Sequence, residues 1–182
     1  NDALGPPLHK LSKLLVGGSM SLMLSQPESR IDFRQIMDEG KILLVDLHGL
    51  GGEARDTLGC FMLALLHLTA IGRLDYRGRS PNPFHIYCDE AHRFPTDAID
   101  QIIAETRKYE VSLTLAHQFM SQVSSRKAGA LSSVASTIIF GVDENDAEYL
   151  KKDLLGRVDA ADLMDQGVGC AIARIGTRKR TE

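Results

Sequence analysis

At 182 residues the chain is long enough for one domain with a core of its own, and 43% hydrophobic and 25% charged residues are ordinary for a globular protein. The longest apolar run, residues 61–66, falls well short of the roughly 18 apolar residues that a membrane span needs, and residues 1–15 mix Asp2, His9, Lys10 and Lys13 into the apolar pattern as no signal peptide does. A net charge of −3 argues against nucleic-acid binding through a broad basic surface, and leaves room for a narrow channel lined by a few basic side chains.

Residues 1–40 read as a helical lead-in. Pro6-Pro7 ends an irregular start, and Leu8, Leu11, Leu14 and Leu15 then recur at helical spacing through residues 8–24, interrupted by Gly17-Gly18. Ile31, Phe33, Ile36 and Met37 predict a short helix stopped by Gly40, with Asp32 as its N-cap. Ile42-Leu43-Leu44-Val45, set between Lys41 and Asp46, fits a strand buried on both faces of a parallel sheet. His48-Gly49-Leu50-Gly51-Gly52 is a loop, and a long amphipathic helix is predicted over 54–74, with Leu58, Phe61, Met62, Leu65 and Leu68 on its inward face as core rather than membrane surface. Residues 77–83 are polar, with a glycine and two prolines, and belong on the surface.

Residues 84–88 read as a second buried strand that ends in Asp89-Glu90. A helix over 97–109 faces Ile99, Ile102 and Ile103 inward; a third strand covers 111–116, and residues 118–134 read as one helix broken around Gly129. A fourth strand over 137–142, a helix over 144–155 and a fifth strand over 170–175, entered through Gly167 and Gly169, complete the series. Strands alternating with helices in this rhythm predict an α/β domain with a mainly parallel sheet flanked by helices. Cys60, Cys88 and Cys170 stand in apolar surroundings without CxxC spacing and read as small buried hydrophobes in a reducing, cytoplasmic setting.

The sharpest chemical signal is Phe84-His-Ile-Tyr-Cys-Asp89-Glu90, an apolar strand running straight into adjacent carboxylates. The C-terminal edge of a parallel sheet is where open α/β folds bind ligands. There an aspartate can hold Mg²⁺ through water and a neighbouring glutamate can polarise an attacking water. The blander reading is a solvated loop start. The next strand delivers His117-Gln118 at its own C-terminal end, and neighbouring parallel strands would bring Gln118 close to Asp89 and Glu90, where a neutral amide can bond a phosphate oxygen or a lytic water. Alone, Gln118 is a polar residue at a helix start and Arg107 a solvated helix-end cation. Zinc among His85, His92, His117 and Cys88 is disfavoured, since His85 and Cys88 point to opposite faces of one strand. For Arg126-Lys127 and Arg178-Lys179-Arg180, contact with phosphates competes with the preferred reading of a solvated face and a frayed C-terminus.

Taken together, residues 42–47, Asp89-Glu90, Glu105-Thr-Arg107-Lys108-Tyr109 and Leu115-Ala-His-Gln118 resemble the conjugation coupling and type IV secretion ATPases, of the HerA–FtsK class of RecA-like motors. Pro7-Leu8-His9-Lys10-Leu11 and residues 30–41 resemble the stretch before that strand, so the likeness covers nearly the whole chain and weakens after Leu155. It implies a partial RecA-like P-loop NTPase core spanning residues 1–182, with Asp89 as the Walker B magnesium residue, Glu90 as general base, Gln118 as γ-phosphate sensor and Arg107 as an arginine finger toward a neighbouring subunit. The implied cofactors are ATP and Mg²⁺. The implied partners are DNA in the channel of a homo-oligomeric, hexameric ring, or a protein cargo in some branches, together with secretion-system or relaxosome proteins. The implied location is the cytoplasm, with an inner-membrane anchor elsewhere in the protein left open.

One departure is large. No GxxxxGK[ST] motif occurs, because neither Gly17-Gly18-Ser19 nor Gly49-Leu50-Gly51-Gly52 is followed by Lys-Ser/Thr. Without that lysine and its cradle of amides the chain alone is expected to bind ATP poorly or not at all. A chain that also opens on Asn1 is read as the C-terminal part of a larger ATPase whose P-loop lies upstream. Asp89-Glu90-Ala91-His92 spells a DEAH box as well, but the Ser-Ala-Thr motif of those helicases is absent near Leu115-Ala116-His117, and the Ser-Gly-Gly signature of an ABC-type ATPase is absent too. The competing reading from another class is a non-catalytic interaction module of a secretion or conjugation apparatus.

Overall fold

The computed structural model describes residues 19–75, 81–94, 97–122, 131, 134–154 and 157–175. The chain divides into two compact units: one runs to Ile86 and includes Arg93–Thr114, and the other joins Tyr87–His92 to the residues from Leu115 onward.

The first unit opens with α1 (Ser19–Leu24) and α2 (Phe33–Asp38). Asp32 caps α2 as the sequence predicts: its backbone is extended and its carboxylate accepts the Gln35 N–H at 2.9 Å. Gly40, at φ +67, lies just beyond the helix end. A 20-residue helix, α3 (Gly52–Ile71), tightens into a 3₁₀ turn at Gly72–Asp75. After β1 (Phe84–Cys88) come α4 (Asp97–Glu105), a 3₁₀ turn at Thr106–Tyr109, and β2 (Val111–Leu115).

Helix α3 packs against α2, α4 and the Thr106–Tyr109 turn, burying Leu63, Leu66 and Ala70, while Met37, Ile99, Ile102 and Tyr109 are buried on the neighbouring elements. Gly59 permits a close approach: the Phe94 ring fills the place a Cβ would take. Arg73 is fully buried but fully engaged. Its Nε meets Asp38 Oδ1 at 3.1 Å, Nη1 donates to Tyr109 O at 3.2 Å and Nη2 to Asn82 O at 2.5 Å, so the charge is both paired and hydrogen-bonded.

In the second unit β3 (Ser136–Ile139) pairs antiparallel with β4 (Ile172–Ile175), Ser136 opposite Ile175 and Ile139 opposite Ile172. Between them lie α5 (Glu144–Asp153), capped by Asp143, and α6 (Ala160–Met164), closed by a reciprocal Asp159/Asp162 capping box. Ile139, Ala147, Leu150, Leu154 and Leu163 form the core there, with Val142, Val158 and Ile172 packed against it.

The protein is thus mixed α/β, with helices and a small parallel sheet of two strands, β1 and β2. Several expectations change. Residues 42–45 form no strand; Ile42 is 87% and Leu44 89% exposed. Their side chains suit a strand, but a strand exists through its ladder, and among the described residues none pairs with them. The inward face of α3 is not the expected one, for Phe61, Leu65 and Leu68 are exposed. Residues 61–66 are all apolar, so periodicity could not choose the face and the packing partners did.

Strand β1 is covered on one face only, with Ile86 and Cys88 buried and His85 and Tyr87 exposed. The β3–β4 ladder departs from the expected parallel sheet in being antiparallel, and a tight turn, with Gly169 at φ +80 and the Cys170 N–H on Gly167 O at 2.9 Å, leads into β4. Of the cysteines only Cys88 is buried; Cys60 is partly covered, Cys170 is exposed, and all are free thiols. Leu8–Leu15, Gly17-Gly18, Gly129, Arg126-Lys127 and Arg178-Lys179-Arg180 lie outside the described residues.

Candidate functional site

Strands β1 and β2 run in the same direction. The Phe84 N–H donates to Glu110 O at 2.8 Å and the Ala116 N–H to Cys88 O at 2.9 Å, so the starts of the two strands are neighbours and so are their ends. Asp89 and Glu90 follow β1 directly as a turn, and the Ala91 N–H returns to Ala116 O at 2.9 Å. These residues and Gln118 all belong to the second unit.

Glu90 holds φ +51, the left-handed region that a residue with a Cβ enters at a cost of ~1–2 kcal/mol. The turn offsets that cost with hydrogen bonds: Asp89 Oδ1 accepts the Glu90 N–H at 2.9 Å, and Glu90 Oε1 accepts from Gln118 Nε2 at 2.9 Å. On the other oxygen, His92 Nε2 stands 3.6 Å from Glu90 Oε2. His92 comes from the 3₁₀ turn Ala91–Arg93.

His117 sits behind, partly buried, and burial pushes its pKa below the ordinary imidazole value; Asp146 opposes that shift and His92 adds to it. Asp146 is itself buried, with Oδ2 accepting the Met120 N–H at 2.9 Å. His92 and Asp146 were not singled out as site residues. His92 offered a signal, two residues past Glu90; Asp146 offered none, because only folding brings α5 near His117.

Glu90 and Gln118 are therefore in direct contact, with Asp89 on the same turn. Arg107 belongs to the first unit, exposed on the Thr106–Tyr109 turn, where its carbonyl accepts the Glu110 N–H. His85 is exposed and Cys88 buried, on opposite faces of β1, and His85 Nδ1 lies 2.6 Å from Ser112 Oγ. Among the described residues no group of three or more His, Cys, Asp or Glu is placed to hold a metal ion. A magnesium ion bound by one carboxylate, its own waters and a nucleotide's phosphates needs no such group, and the exposed Asp89 carboxylate suits that mode. The loop at residues 48–51 leads into α3 with Gly49 at φ +80, and no lysine follows it.

The sequence matches no protein-family model and no curated protein. Fold and geometry together describe a mixed α/β protein with adjacent carboxylates on the turn leaving a parallel strand, one of which, Glu90, is held by an amide from beyond the adjacent strand.

Proposed function

We propose that this chain is the Walker B portion of a RecA-like motor ATPase, and that the whole protein uses ATP to move DNA through a homo-oligomeric, hexameric ring of conjugative or type IV secretion type. The observation that carries the reading is the Glu90–Gln118 contact: two polar side chains from the ends of adjacent parallel strands meet at the edge where such folds bind nucleotides. In this reading Asp89 holds Mg²⁺ through a water, and Glu90 takes a proton from the attacking water. Gln118 turns from Glu90 toward the γ-phosphate, and Arg107 reaches the nucleotide of a neighbouring subunit. Mg²⁺ bound with ATP supplies neutralisation of charge on the transferred phosphoryl group. The P-loop comes from chain outside residues 1–182. The DNA partner, contacts with secretion or relaxosome proteins, and a cytoplasmic site of action all belong to this proposal.

The absence of GxxxxGK[ST] favours one second reading, a non-catalytic module that docks partners through a retained Walker B turn. ATP turnover by the whole protein, with and without DNA, separates the two. The motor reading expects DNA to stimulate hydrolysis and Glu90→Gln to lower kcat by ~10²-fold or more. An inert whole protein supports the docking module; turnover stimulated by a protein substrate and not by DNA moves the cargo from DNA to protein.

A further inference from the structure

The Glu90 carboxylate has a neighbour on each oxygen, drawn from different segments: the Gln118 amide at 2.9 Å on Oε1 and the His92 imidazole at 3.6 Å from Oε2. We infer that His92 is the positioning residue that keeps Glu90 aimed as a general base, an inference that rests on Glu90 having that role. Gln118 alone does not suffice, because in the proposed cycle its amide turns toward a phosphate and releases Oε1.

Gln118 makes the shorter contact, but its side chain is exposed, whereas that of His92 is the more firmly seated. Its side chain is 15% exposed, and its turn begins at buried Ala91, tied by its N–H to Ala116 O. The ring's other nitrogen, Nδ1, is buried without a hydrogen-bond partner. A carboxylate oxygen can only accept, so the nitrogen that carries a proton toward Glu90 is Nε2. Asp89, whose Oδ1 accepts the Glu90 N–H, and His117, which Asp146 faces, are the ionisable groups recorded around this pair. Burial keeps His117 toward its neutral form, and Asp146 Oδ2 is engaged by the Met120 N–H. A separation of 3.6 Å is longer than a formed hydrogen bond; catalytic contacts in unliganded enzymes commonly run long and tighten when substrate binds.

Two amides of matched polarity and different reach test this. In the whole protein, His92→Gln sets its amide nitrogen near the place of Nε2, whereas His92→Asn sets it near Nδ1. DNA-stimulated ATP turnover is measured for both, beside His92→Ala and Glu90→Gln. The expected result is that His92→Gln stays within ~3-fold of wild-type kcat, while His92→Asn and His92→Ala fall by ~10-fold, all with KM for ATP within ~2-fold. Equal kcat for the Gln and Asn variants, or losses that appear in KM, overturns the inference. Wild-type turnover by Glu90→Gln instead overturns the base role itself, and His92's role with it.

Discussion

Glu90 carries a strained backbone, two polar neighbours and a carboxylate that is still 38% exposed, and each feature bears on the others. A left-handed glutamate is kept only where its surroundings hold it in place, and here Asp89 Oδ1 and Gln118 Nε2 do so. The His117 imidazole nearby leads to a prediction about stability. Burial holds the folded pKa of His117 below the ordinary 6.5. Below about pH 6.5 the unfolded chain binds a proton there that the folded chain resists, so stability is full above that pH and declines as pH falls toward the folded value. The urea midpoint should therefore drop between about pH 7.5 and 5.5, and His117→Asn should flatten that part of the profile. An identical slope in the variant would remove His117 from the explanation.

At the scale of elements, close packing outweighs propensity at Gly59. Alanine is favoured over glycine inside a helix by about 0.8–1 kcal/mol, yet the Phe94 ring occupies the position of the new methyl. Overpacking of this kind costs ~1–3 kcal/mol, so Gly59→Ala should lower stability by up to ~2 kcal/mol in chemical denaturation, and a gain would show that Phe94 moves freely. The same contrast explains what could be read in advance. The Asp32 cap, α4, α5 and both parallel strands carry local signals that agree with their surroundings: a cap residue, a clear apolar stripe, or a short β-rich run. The strand expected at 42–45 and the inward face of α3 carry apolar side chains without a choice of partner, and partners are not written locally. Helix α6 was missed because it is only five residues long, too short for a period to show. The strand-end rule anticipated the closeness of Gln118 to Glu90, whereas the neighbourhood of His92 and Asp146 needed the turn and α5 in place.

Across the whole molecule, the first unit leaves much apolar surface uncovered: Ile42, Leu44, Phe61, Leu65 and Leu68 are all exposed. Helix α3 is long and apolar enough to cross a membrane by length and composition, but its other side buries Leu63, Leu66 and Ala70 in the first unit's core. Exposed apolar surface of this kind promotes association in water. Leu65→Lys with Leu68→Glu should keep the chain monomeric at higher concentration in gel filtration, and should change unfolding free energy by less than about 1 kcal/mol. A double variant that fails to fold would place those side chains in the core after all.

The proposed function makes Glu90 the base of an ATPase. It is tested most directly by a single turnover of Mg²⁺–ATP on the whole protein, acid-quenched, with wild type beside Glu90→Gln. Both should bind ATP within ~3-fold of each other, and only the wild type should convert it to ADP on the time course of turnover. Conversion by Glu90→Gln at the wild-type rate would contradict that role, and Asp89-Glu90 would then be a solvated turn at the end of a strand.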